Sequence, residues 1–272
     1  MLTDATTQFE RSALRKLAGN FADPMVGIVA GKVSIVDELG LPSESMYWRT
    51  EMMIRKCESQ LGIMLGASGA IYAIRRDLFV PPTRPIINDD VVIPMLVHLK
   101  HRCQIVLDTT ARAYSSNTGG MRDEFQRRCR IGAGGFQCLP ELRDLWTWRN
   151  RASAAAFVSH KLIRWICPFL LVAALASNFA LASESVYSVF LAIQLVAYAL
   201  AAIGFVAPGQ GIAIRVARIA TSFVVMNTAL GIGFSRWLLN PNNVIWAPTQ
   251  RACWSELTPV ADSQTVTQRR AA

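Results

Sequence analysis

The pattern of apolar and polar positions divides the chain near residue 160. Beyond it, three uncharged apolar stretches follow one another: Ile166–Ala182, Val186–Val206 and Ile219–Ser235. A helix of about 20 apolar residues crosses the hydrocarbon core of a bilayer, so the series predicts three membrane spans. The alternative for such short stretches is a buried helical core. The gap Ser183–Ser185 is short enough to predict a tight hairpin between the first two.

Before residue 160 the pattern alternates. Met25–Ser34 reads as a strand, and Glu44–Gly62 as an amphipathic helix with Ser43 as its N-cap. Ala70–Ile74 is a second strand after a Gly-rich turn, Val91–Lys100 is helical, and Gln104–Asp108 and Ala111–Tyr114 are two short strands. Phe125–Leu139 begins as a helix that Gly132, Gly134 and Gly135 are expected to loosen. Alternation of strand and helix predicts an α/β fold. The expected boundaries are a water-facing domain over 1–160, three transmembrane helices over 161–239, and a short, partly disordered extracytoplasmic tail over 240–272.

Charge sharpens this division. Of the 47 charged residues, 38 lie between Met1 and Trp165. At 52% hydrophobic and 17% charged residues, the chain is not extensively disordered. Lys and Arg in short loops face the cytoplasm. Arg149, Arg151, Lys161 and Arg164 precede the first span, the Ser-Glu-Ser turn carries no positive charge, and Arg215 and Arg218 fall in the loop before the third. This predicts a multi-pass protein of the cell inner membrane with the first domain in the cytoplasm. The net charge of +9 suits anionic membrane lipid. No basic run with interleaved aromatics and no zinc-finger or helix-turn-helix pattern occurs, so nucleic acid is not expected as a partner. The six cysteines form no C-x-x-C pair, and His98, His101 and Cys103 lack an evident fourth zinc ligand.

Three clusters could carry chemistry. Asp89 and Asp90 follow a Pro-rich loop and precede an apolar helix. Adjacent carboxylates repel, which raises one pKa and suits a general base; capping and first-turn placement on the helix dipole explain them equally well. Gly66-Ala67-Ser68-Gly69-Ala70 is a turn that lets backbone approach a ligand, with Arg75 and Arg76 beyond it able to meet phosphate, or simply a turn with two solvated arginines. Arg127, Arg128 and Arg130 place three guanidiniums in four positions, a set that matches phosphate oxygens or forms a solvated helix face.

Taken in order, these segments resemble family 2 glycosyltransferases of the membrane-embedded inverting kind, similar to cellulose and hyaluronan synthases. Thr3-Asp4-Ala5-Thr6 looks like an Asp-x-Asp metal motif that retains one acid. Gly66–Arg76, with Gly66, Ser68 and Gly69, looks like the acceptor loop. Asn88-Asp89-Asp90 looks like the acidic motif whose last Asp is the catalytic base, and Arg127–Ile131 like Gln-x-x-Arg-Trp with Arg for Gln and Ile for Trp. Glu44–Trp48 and Ser159–Trp165 are similar to phrases of bacterial members. The resemblance implies a partial GT-A-like, Rossmann-related sheet over 1–160. It implies sugar transfer from a nucleotide-sugar donor to a glycan or lipid-linked acceptor in polysaccharide synthesis. Asp90 would be the base with Asp89 as its acidic neighbour. Arg127, Arg128 and Arg130 would meet the diphosphate or acceptor, and a divalent metal, Mg2+ or Mn2+, would sit near Asp4. In the family, roughly 100 residues that hold the nucleotide precede the metal motif. The chain is thus expected to be the C-terminal part of such an enzyme, served by a separate N-terminal half and inactive alone. The alternative is a non-catalytic membrane-anchored remnant or a lipid- or partner-binding scaffold.

Overall fold

The computed structural model describes residues 1–36, 46–116, 121–209 and 211–242. Its strands are β1 (Thr7–Phe9), β2 (Val26–Val36), β3 (Tyr72–Ile74) and β4 (Gln104–Ser116); its α-helices are α1 (Ala13–Gly19), α2 (Met46–Gln60), α3 (Asp89–His101), α4 (Met121–Glu141), α5 (Arg151–Phe157), α6 (Ile163–Ala180), α7 (Ser185–Val206) and α8 (Ile212–Leu239). The chain is therefore an α/β region followed by a helical one. It divides into two compact units: Met1–Asp123 with Gln137–Val158, and Glu124–Phe136 with Ser159–Asn243. Ser43, the start of the predicted helix at Glu44, and the tail beyond residue 242 lie outside the described residues.

The first unit is built on a four-stranded sheet of order β1-β4-β2-β3. The central pair β2–β4 is parallel, whereas β1 and β3 run antiparallel beside it. The sheet is thus mixed, as fits the partial α/β domain expected; the direction of the short flanking strands carries no mark in the sequence. β2 reads as a nearly continuous apolar run because most of it is buried. On one face, Val29 and Val33 pack with Ala13 and Leu17 of α1 and with Ile71, Ala111 and Ala113.

The two short strands predicted at 104–108 and 111–114 are one strand with an irregularity. The pairing jumps from Gly31–Asp108 to Lys32–Arg112. Asp108 Oδ1 holds the extra residues, accepting from the Thr110 N–H at 2.8 Å and hydroxyl at 2.6 Å. Gly31 makes room for them, since a Cβ there would lie 2.7 Å from the Ala111 carbonyl oxygen. A polar Asp-Thr-Thr in a strand looks like a loop in sequence and is a bulge in the sheet.

The second unit contains the apolar helices. Three helical runs are long and apolar enough to cross a membrane: Trp148–Ala180, which begins in the first unit, Ser185–Val206 and Ile212–Leu239. In their most apolar windows 6%, 11% and 33% of residues are buried, so these helices are not a soluble core. Their exposed faces require an apolar surrounding, which associates the chain with a membrane. The third helix is longer than its apolar stretch, so Arg215 and Arg218, assigned to the preceding loop, stand on its first turns. Small residues allow close helix packing: a Cβ on Gly204 would lie 2.4 Å from the Ala217 backbone, and Thr221 Oγ1 donates to the Ala201 carbonyl at 2.7 Å.

The glycines expected to loosen the helix after Phe125 do not do so, and α4 runs unbroken to Glu141. Within the second unit, a Cβ on Gly132 would sit 3.2 Å from Leu230 Cα, and one on Gly135 only 2.6 Å from the Trp165 indole. Packing that requires the missing side chains outweighs the helix cost of about 1 kcal/mol per glycine.

Candidate functional site

The N-terminal segment forms one wall of the site. Leu2 and Tyr72 exchange backbone hydrogen bonds at 2.9 and 3.2 Å, and the Thr3 hydroxyl donates to the Ala70 carbonyl at 2.9 Å. Asp4 is thereby brought to the strand that follows the Gly-rich turn. That turn is fastened to α3, because the Ala67 N–H donates to the Asp90 carbonyl at 2.8 Å. Gly66 adopts φ +138° there, and a Cβ on it would meet the Asp90 carbonyl oxygen at 2.9 Å. Gly69 lies beside Asp90, whose Cβ and Oδ2 would be in ordinary contact with an added Cβ, at 3.6 and 3.8 Å. Ser68 accepts from the Ile71 N–H through its carbonyl at 3.0 Å, which closes the turn.

The acid pair occupies the first turn of α3. The N-cap is Asn88, and Asp89 Oδ1 accepts the Asp90 backbone N–H at 3.0 Å. The Pro-rich loop before it is held by the end of α4 that belongs to the same unit. Fully buried Gln137 accepts from the Ile87 N–H at 3.0 Å and donates to the Pro85 carbonyl at 3.3 Å, while Arg84 Nε lies 2.8 Å from Glu141 Oε1. The pair therefore stands on a rigid support.

Electrostatics tie the three acids together. Surrounding protein withholds water from the Asp89 carboxyl even though the residue keeps an exposed edge. This desolvation is the main cause that raises its pKa, followed by the charge of Asp90, with that of Asp4 adding to it. Tyr72 feels the same cluster. Its phenol is pushed well above its ordinary value by burial first, then by Asp89, Asp90 and Asp4 in that order. Tyr72 is 1% exposed and its hydroxyl has no hydrogen-bond partner. The carboxyl raised here is that of Asp89, whereas the resemblance gives proton abstraction to its neighbour Asp90. Among the described residues, no three His, Cys, Asp or Glu side chains gather to hold a metal ion; Asp4 alone does not constitute the expected metal site.

The structure thus brings together Asp4, Asp89, Asp90, Gly66, Ser68 and Gly69. The arginines are a different matter. Arg75, read as a phosphate ligand or a solvated side chain, is neither. It donates to the carbonyls of Val26, Phe21 and Asp23 at 2.8, 2.7 and 2.9 Å and stacks over the Phe21 ring. Arg76 is exposed. Arg127, Arg128 and Arg130 belong to the second unit. There Arg127 and Arg128 share one carboxylate, Glu124, at 3.2 and 2.6 Å. Burial works to raise Glu124, but the two guanidiniums outweigh it and its pKa is lowered. Tyr72 escaped the sequence reading. A tyrosine in a short strand carries no signal; its place among three carboxylates follows from the pairing of Leu2 with Tyr72.

No family model matches the chain, and no curated protein matches it. Among solved structures it is similar to the mannosyltransferase PcManGT from Pyrobaculum calidifontis, in complex with GDP-Man and Mn2+, at 16% identity and a TM-score of 0.37. The match covers 82% of this chain and 61% of that one. A TM-score of 0.37 is too low for the likeness to carry activity or ligand across.

Proposed function

We propose that the chain is the membrane-bound part of an inverting family 2 glycosyltransferase of GT-A type, moving a sugar from a nucleotide-sugar donor to a glycan or lipid-linked acceptor. The observation that supports this reading is the convergence of Asp4, Asp89 and Asp90 beside the Gly66–Gly69 turn. In the reaction, the acceptor hydroxyl oxygen attacks the anomeric carbon as the bond to the diphosphate breaks. Asp90 takes the hydroxyl proton.

The test is transfer from a panel of labelled nucleotide sugars by membranes that carry the protein together with the nucleotide-binding half expected to serve it. Wild type should transfer sugar, and Asp90→Asn should lose at least about 10²-fold in turnover at unchanged melting temperature, the usual cost of removing a general base. A lipid- or partner-binding scaffold predicts no transfer by either protein, and that result rejects the enzyme reading.

For orientation, the basic residues Arg149, Arg151, Lys161, Arg164, Arg215 and Arg218 would keep the first unit in the cytoplasm at the inner membrane. A reporter fused after Gln250 should then be silent in the cytoplasm and active outside. Cytoplasmic activity would reverse the assignment.

A further inference from the structure

The segment between α4 and α5 is a rigid platform that turns two tryptophans outward. It consists of two successive 3-10 turns, Arg143–Trp146 and Trp148–Asn150. Its own hydrogen bonds lock it. The Asn150 side-chain amide and the Thr147 hydroxyl both donate to the Asp144 carbonyl, at 2.6 and 2.9 Å, and the Arg143 Nε–H donates to the Pro140 carbonyl at 3.1 Å. Leu142 and Leu145 are buried beneath it, and Trp146 meets buried Phe157 edge to face with ring centroids 6.1 Å apart. Yet Trp148 is 81% exposed and Trp146 46%. Arg143, Arg149 and Arg151 stand exposed in the same segment and form no ion pair among the described residues. The Arg151 guanidinium lies 4.9 Å from the Trp148 ring centroid, which holds cation and indole together. Asp144 is the only acid between Arg143 and Arg151, so positive charge is left uncompensated.

Charge and continuity identify what covers this surface. Three arginines against one aspartate call for an anion, and the guanidinium fork matches phosphate oxygens. Trp148 also opens the helical run Trp148–Ala180, which is apolar enough to cross a membrane. An indole carries a large apolar body and one N–H, and such rings settle at the headgroup level of a bilayer. We propose that the platform docks the first unit on anionic lipid: Trp146 and Trp148 enter the headgroup layer, and Arg143, Arg149 and Arg151 meet the anionic headgroups. The inference does not depend on the glycosyltransferase reading. A helical contour of about 20 Å separates Trp148 from Ile163, where α6 begins, so the span does not supply this contact by itself.

The experiment uses the full chain, labelled with 5-fluorotryptophan and reconstituted in nanodiscs, with the Trp148 fluorine resonance assigned by Trp148→Phe. Two discs are compared, phosphatidylcholine alone and an equal mixture with phosphatidylglycerol. Each carries either a doxyl label near the lipid headgroup or a gadolinium chelate in the surrounding water. In the mixed disc the lipid label should broaden the Trp148 resonance and the chelate should not; in the neutral disc the two should exchange roles. Each arginine near an anionic surface is worth about fivefold in such an equilibrium. Arg149→Gln combined with Arg151→Gln should therefore lower docking about 25-fold in the mixed disc, with the other fluorine resonances unchanged. Broadening by the chelate in both discs would show a surface that faces water. Shielding from both agents would show a protein partner or a second copy, and broadening by lipid regardless of phosphatidylglycerol would deny the role of charge. Each of these three results overturns the proposal. The comparison of discs uses the wild-type platform, so it decides the question even if the double variant does not fold.

Discussion

Gly66→Ala tests how the turn holds the acid pair. Gly66 is buried at φ +138°, a conformation L side chains rarely adopt, and an added Cβ would meet the Asp90 carbonyl oxygen at 2.9 Å and Val91 Cα at 3.0 Å. Both atoms are backbone, so no flexible side chain can move aside. Backbone strain of this kind costs about 1–3 kcal/mol, and overpacking against fixed atoms about 1–3 kcal/mol more. The smaller conformational freedom of alanine in the unfolded chain offsets about 0.4–1 kcal/mol. The net destabilisation is about 1–6 kcal/mol. Two neighbouring glycines serve as controls. Gly62 has φ +67° but nothing within 4 Å, so Gly62→Ala should cost only the left-handed penalty of about 1–2 kcal/mol. Gly69→Ala makes ordinary contact with Asp90 and should be within about 0.5 kcal/mol of wild type. Thermal unfolding of the three variants should rank Gly69 above Gly62 above Gly66, with the last lowered by roughly 2–4 °C per kcal/mol. If Gly66→Ala melts with Gly69→Ala, the turn does not press on α3, and the argument that it fixes Asp90 is wrong.

Asp89→Asn tests the charge cluster. The folded protein raises the Asp89 pKa, so folding takes up a proton between the unfolded and folded values. The destabilisation by the charged carboxyl is complete above that window and absent below it. Asp89→Asn should therefore raise the melting temperature at neutral pH, with the gain vanishing toward about pH 4; a gain independent of pH would refute the assignment. In the second unit, Gly135→Ala would drive a Cβ to 2.6 Å from the Trp165 ring and should cost about 1–3 kcal/mol in thermal unfolding. Gly231→Ala, 3.7 Å from Pro168 Cβ, should be tolerated, and equal melting of the two would contradict the packing described.

Much of this protein was legible in the order of its residues. Runs of uncharged apolar side chains dictate helices that water cannot accommodate, and the three apolar stretches became α6, α7 and α8 because hydrophobic length is a local property. The strand read at Met25–Ser34 and the helix read at Val91–Lys100 were legible for the same reason, and they fall within a residue or two of Val26–Val36 and Asp89–His101. Other features depend on partners distant in sequence. Whether Gly132 and Gly135 break a helix or admit a neighbour was decided by Leu230 and Trp165. Whether Arg75 meets phosphate or backbone was decided by the carbonyls of Phe21, Asp23 and Val26. Asp108-Thr109-Thr110 became a bulge because Gly31 faces it in a parallel strand. The acids of the site were visible as residue types, but their mutual influence was not. Asp4 and the Asp89–Asp90 pair are separated by more than eighty residues of chain. Pairing of Leu2 with Tyr72 and of Ala67 with Asp90 brings their charges to bear on one buried phenol. Sequence determined which groups could ionise; tertiary structure decided which of them act on one buried phenol, because the fields that shift a pKa act through distance and not through the chain.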